Sequence, residues 1–225
     1  MKLTLTTTAI SIVVISSIAY QSYRTNTEPK LPLVHLYCDT DVSGRAPGRG
    51  FRSNLPQCVT IECSVVRHLV PQHDRISAYS TANTTTQWYE NTAPASVGDF
   101  RSNLVHELAR LPDADNTHSI LFFQSIAGDV KGDPAIPVIV HFGDFDEDTI
   151  PPARASELLL ASARTIASNP RAIVILEGIS PKNVAFAKRS LKPLGTRLFI
   201  EPATAISSDS VCRWIDAARA QAGKE

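Results

Sequence analysis

Apolar residues along this chain fall into two kinds of run. Short, mostly apolar runs cover 33–38, 137–142, 172–176 and 197–200. They show no helical period and read as buried strands. Between them the apolar positions recur about every 3.6 residues. Over 55–70, Cys58, Ile61, Val65, Val66 and Leu69 share one stripe, which predicts an amphipathic helix packed on a sheet. Over 97–111, Phe100, Leu104, Leu108 and Leu111 stay in phase and Pro112 closes the segment. Residues 116–130 space Ile120, Phe123 and Ala127 helically, and helices are also expected over 152–167, 183–194 and 208–222. Segments 75–80 and 86–90 flank the polar stretch 81–85 and predict a hairpin. This alternation predicts an α/β domain over 33–222: a doubly wound, mostly parallel central sheet with helices on both faces.

The first 23 residues follow a different pattern. No charge falls between Lys2 and Arg24, and 9–19 is apolar enough to enter a bilayer. Its length approaches the roughly 20 residues that span hydrocarbon. Small residues at Ser17 and Ala19 would also suit a signal peptidase. Residues 1–23 are therefore expected to be a membrane anchor, or a cleaved signal, and 24–32 a polar linker. Either way the domain is expected outside the cytoplasm, tethered by a single pass or secreted after cleavage.

With 22 basic and 22 acidic side chains, the formal net charge is zero, which argues against a nucleic-acid partner. Cys38, Cys58, Cys63 and Cys212 show no CxxC pair and no metal-ligand spacing, so they read as small buried hydrophobes. An export route would still permit one disulfide, for example from Cys38 to a helix cysteine.

In a doubly wound sheet, ligands bind at the carboxyl ends of strands. Just past the first strand stand Asp39, Thr40, Asp41, Val42 and Ser43; just past the strand at 137–142 stand Gly143, Asp144, Phe145, Asp146, Glu147 and Asp148. Carboxylates and hydroxyls offered by separate loops suit a hard cation such as Mg²⁺, which takes oxygen ligands and keeps waters. Each aspartate alone would more often cap a helix or a turn.

On these residues the chain resembles a von Willebrand factor type A (vWA) domain. That family carries a metal-ion-dependent adhesion site (MIDAS) made of a D-x-S-x-S loop after the first strand, a Thr in a later loop and an Asp ending a middle strand. The resemblance implies that Asp39, Asp41, Ser43, Thr117 and Asp144 hold Mg²⁺, or Mn²⁺ or Ca²⁺, and that the ion completes its shell with an acidic side chain of a protein partner. Two features depart from the pattern: Asp41 stands where the family has its first Ser, and 44–54 inserts a loop with Arg45, Arg49 and Arg52. The extra carboxylate would tighten a cation while weakening its pull on an acidic ligand. The loop could grip an anion or neutralise nearby aspartates.

The same residues also resemble the D-x-D loop and G-D-x-x-x-D motif of haloacid dehalogenase-like phosphatases. That resemblance implies Asp39 as nucleophile, Asp41 as general acid and base, and Asp144 with Asp148 on Mg²⁺. The main expectation is a membrane-tethered binding module with a divalent-cation site. The alternatives are a Mg²⁺-dependent phosphatase and a structural vWA-like domain whose metal site has decayed.

Overall fold

The computed structural model describes residues 32–38, 55–81, 85–110, 119–130, 136–146, 150–202 and 207–222. The expected anchor, the expected linker except Pro32, which instead opens the first strand, and the residues Asp39, Asp41, Ser43 and Thr117 lie outside these. Among the described residues no helix is long and apolar enough to cross a membrane.

The strands are β1 (Pro32–Cys38), β2 (Arg75–Thr81), β3 (Thr85–Thr92), β4 (Ile136–Phe142), β5 (Ile173–Ile179) and β6 (Leu198–Pro202). The helices are α1 (Leu55–Leu69), α2 (Val97–Arg110), α3 (Ser119–Val130), α4 (Pro152–Ala167), α5 (Val184–Ser190) and α6 (Ser208–Ala222). One six-stranded sheet runs in the order β3-β2-β1-β4-β5-β6. The β2–β3 hairpin is antiparallel and every other neighbouring pair is parallel. Strand β5 is buried at all seven positions, as an interior parallel strand covered on both faces must be.

Alternation along the strands separates two cores. Val34, Leu36, Val138, Val140, Phe142 and Ile175 face α1, α2 and α6, meeting Ile61, Val65, Leu69, Phe100, Leu104, Val211 and Ile215. Tyr37, Ile139, Val174 and Leu176 face the other way, onto Phe122, Phe123 and Ile126 of α3, Leu159 and Ile166 of α4, and Ala187 of α5. Each fully buried Leu, Ile, Val or Phe contributes about 1.5–3 kcal/mol of transfer free energy, so both apolar faces of the sheet are fixed by burial.

Local chemistry sets the helix ends. The Ser96 hydroxyl accepts the Asp99 amide at 3.1 Å and donates to its carboxylate at 2.8 Å, capping α2. Pro152 opens α4, where a missing N–H costs nothing. Expected as one helix, 183–194 instead divides: α5 stops at Ser190 and tighter 3₁₀ turns cover Lys192–Arg197. Pro193 cannot donate to the α-helical ladder and its ring crowds the preceding turn, and Gly195 turns into the left-handed region at φ 57°. The released Arg197 side chain donates to the carbonyls of Asn169 at 2.7 Å, Ala172 at 3.1 Å and Ala167 at 3.3 Å, closing the C-terminal end of α4.

At the amino end of the sheet, the Arg219 guanidinium pairs with the fully buried Asp74 and with Asp216, one turn back on α6. His68 of α1 meets Asp216 at 2.8 Å. This cluster joins α1, α6 and the start of β2. Cys63 and Cys212 are free thiols.

Candidate functional site at the switch point

Strand order reverses between β1 and β4. The chain goes from β1 outward to β2 and β3 on one side, then returns to β4, β5 and β6 on the other. A parallel sheet opens a crevice at the carboxyl ends of two such strands, because their loops leave in opposite directions. The register pairs Cys38 with Phe142, so β1 and β4 end side by side.

Of the five expected cation ligands, Asp144 falls within the described residues, and it sits where the strand pattern predicts, two residues past β4 and partly exposed. Its surroundings hold it tightly. The Gly143 amide donates to the Glu177 carbonyl at 3.0 Å. The Asp144 carbonyl accepts from the Ser180 amide at 3.0 Å and the Asn183 side-chain amide at 3.1 Å. The Asp144 carboxylate accepts the Asp146 amide at 2.9 Å, the Asx turn an aspartate makes in such a loop. Asp146 in turn pairs with Lys182.

Between the two aspartates, Phe145 adopts φ 60°, a left-handed conformation that costs a residue with a side chain about 1–3 kcal/mol. Burial offsets that cost: Phe145 is 1% exposed and its ring lies 5.2 Å from His141 and 6.1 Å from both Phe123 and Phe186. The aromatic cluster thus anchors the turn that presents Asp144.

His141 belongs to the same cluster, with Tyr37 stacked at 4.7 Å. Its Nε2 meets the Ser119 hydroxyl at 2.9 Å. Full burial pulls its imidazole down to about 3, so the ring is neutral at every physiological pH. The bond ties the first residue of α3 to β4, and Thr117 precedes Ser119 by two residues. Among the six histidines of the chain, no H-x-x-x-H spacing singles out His141. Its partner lies 22 residues away, and no local spacing reports that.

Glu177 was also missed. The expected strand ended at Leu176, whereas β5 continues through Glu177, opposite Phe142 of β4 and Glu201 of β6. The side chain is fully buried and neither carboxylate oxygen has a hydrogen-bond partner among the described residues. Burial pushes its carboxyl up to about 8, and Glu201 adds to the shift. The signal available was an acid inside the apolar run 173–179.

Among the described residues no group of three or more His, Cys, Asp or Glu side chains could hold a metal ion. Asp144 offers the oxygen chemistry a hard cation takes and stands at the right crevice. The other expected ligands, Asp39, Asp41, Ser43 and Thr117, lie outside the described residues.

The chain matches no protein-family model and no curated protein significantly. Solved structures do match it. The von Willebrand factor domain of the type V pili tip protein Mfa5 from Porphyromonas gingivalis superposes with a TM-score of 0.59 at 11% identity, covering 84% of this chain and 96% of that one. A von Willebrand factor type A protein from Catenulispora acidiphila gives 0.54 at 12% identity, covering 86% and 42%. Proximal thread matrix protein 1 of the mussel byssus, in a structure with a zinc-occupied MIDAS motif, gives 0.51 at 12% identity, covering 86% and 46%. This chain spans less than half the length of the last two. At such identities the likeness is one of architecture, and it agrees with the strand order: the chain has the vWA fold.

Proposed function

We propose that this chain is a binding module that engages a protein partner through a divalent cation held at the β1–β4 switch point. The ligands would be Asp39, Asp41, Ser43, Thr117 and Asp144, and the cation Mg²⁺, with Mn²⁺ or Ca²⁺ as substitutes. When bound, the ion would supply an open coordination position for a partner's carboxylate. The observation that carries this reading is the placement of Asp144 at the end of β4, beside the exit of β1, in the fold shared with a protein whose MIDAS holds zinc. Residues 1–23 would tether the module to a membrane with the domain on the extracytoplasmic side; support for this is the uncharged apolar segment itself.

One observation favours a second reading. The Asx bond from the Asp146 amide gives Asp144 a structural role that needs no metal, as expected of a domain whose site has decayed. Calorimetric titration of Mg²⁺, Mn²⁺ and Ca²⁺ into the full chain in detergent separates the two. Asp144→Asn keeps the acceptor for the Asx bond and removes the charge. Saturable binding lost in Asp144→Asn supports the cation-dependent module, and heat without saturation in the wild type refutes it. Turnover of a phosphate monoester in the same samples, lost in Asp39→Asn, would move the assignment to the phosphatase chemistry.

A further inference from the structure

The sheet has two outer edges, and they differ. At the β3 edge, the pairing with β2 is broken by register shifts around Ala78, the kind of irregularity that keeps an edge from pairing with another chain. At the other edge, β6 pairs with β5 in unbroken register from Leu198 to Glu201, and among the described residues no strand covers its outer side. All five β6 residues are half-buried, and none is a lysine. A strand left this way presents alternate backbone N–H and C=O groups to solvent.

Beside that edge runs a groove of about 670 Å³, walled by Val184 and Lys188 of α5, Lys192 and Gly195 of the turns that follow, and Leu198 and Ile200 of β6. Lys188 and Lys192 are exposed, and neither forms an ion pair with another described residue. The two faces of β6 are chemically distinct. Leu198 and Ile200 lie on the lysine side, packed against the core under α5. Phe199 lies on the opposite side, stacked on Trp214 of α6 with ring centroids 3.5 Å apart. Trp214 is half-buried and its indole N–H has no acceptor among the described residues.

We propose that the open edge of β6 takes an extended acidic segment of a protein partner as a seventh strand, its carboxylates reaching Lys188 and Lys192. Strand addition draws affinity from main-chain hydrogen bonds and specificity from alternate side chains. Here the alternation has a defined pattern. Side chains on the α5 side of the added strand meet the exposed ammonium groups of Lys188 and Lys192 and are acidic. Side chains on the other side lie against Phe199 and Trp214 and are apolar and uncharged, since Glu201 stands on that face. Five residues at about 3.3 Å each give an edge of about 16 Å, enough to pair about five residues of such a segment, with Pro202 at its end offering a carbonyl and no N–H. This surface is separate from the switch point and does not depend on a cation.

The probe is a fluorescent Thr-Glu-Val-Glu-Val-Glu-Thr peptide, titrated into the full chain in detergent with EDTA present and followed by anisotropy and amide hydrogen exchange. Saturable binding is expected, with slowed exchange confined to 198–202 and loss of affinity as salt rises. Reversing both lysines, Lys188→Glu with Lys192→Glu, should weaken it roughly tenfold or more. Both side chains are exposed, so the melting temperature should not change. Asp144→Asn should bind the peptide as the wild type does, which keeps this test apart from that of the cation site. Equal binding of the peptide with Lys in place of Glu would overturn the proposal, as would exchange at 198–202 unaffected by peptide. Slow exchange in the peptide-free chain of the β6 amides that point away from β5 would also overturn it: as a dimer by light scattering, because a second copy fills the edge, or as a monomer, because the chain's own residues do.

Discussion

Glu177 makes the most quantitative test of the fold. A carboxyl whose ordinary value is 4.5 is held at about 8 because burial takes it out of water, with the charge of Glu201 adding to the shift. Between those two values the unfolded chain has ionised Glu177 while the folded chain keeps it protonated. The folded pKa is raised, so the stability this group allows is fully present below pH 4.5 and is lost as pH rises through about 8. Each pH unit costs about 1.36 kcal/mol, which accumulates to about 4 kcal/mol at pH 7.5 and less than about 1 kcal/mol at pH 5.

Glu177→Gln keeps the shape and polarity of the protonated acid and cannot ionise. The variant should match the wild type near pH 5 and become more stable as pH rises, by about 4 kcal/mol at pH 7.5. With a urea slope of about 1–3 kcal/mol/M, that is a midpoint shift of more than about 1 M. Glu62, also buried and pushed up to about 8, is present in both proteins and cancels from the difference. The assay is urea unfolding at pH 5.0, 6.5, 7.5 and 8.5 in EDTA. A stability gap that stays constant across that range would refute the reasoning, because it would mean that Glu177 ionises in the folded chain as it does in the unfolded one. A Glu201→Gln change should lower the Glu177 value and flatten the wild-type decline, since Glu201 is its second cause.

Two further outcomes follow from the same kind of argument. Arg219→Ala leaves the carboxylate of Asp74, 0% exposed, without its guanidinium, and should destabilise the chain by about 3–5 kcal/mol in thermal or urea unfolding; replacing both, as Arg219→Met with Asp74→Leu, should recover much of it. Ser119→Ala leaves the Nε2 of the buried His141 without its partner and should cost about 1–3 kcal/mol in the same assays, with no change in that cost between pH 5 and pH 8 because the ring stays neutral.

The sequence by itself determined the elements and their class. Apolar runs such as 137–142 and 172–176 can only be buried strands, and stripes such as Ile61, Val65 and Leu69 can only cover a sheet, because burying those faces is the main favourable term available to the chain. It also placed Asp144 at a strand end, since that requires only knowing where β4 stops. The end of α5 was in principle legible in Pro193 and Gly195, and the apolar spacing across them concealed it.

What the tertiary structure decided was every relation between distant residues. The pairing of Cys38 with Phe142, which makes the exits of β1 and β4 one crevice, depends on strand order. The Ser119–His141 bond spans 22 residues and the Arg219–Asp74 pair spans 145. The burial of Glu177 comes from what covers the end of β5, and the open edge of β6 from what does not. Periodicity reports which way a side chain faces within its own element. Whether that face meets a partner, a void or water is set by packing energies summed over the whole domain, and a single stretch of sequence carries no record of them.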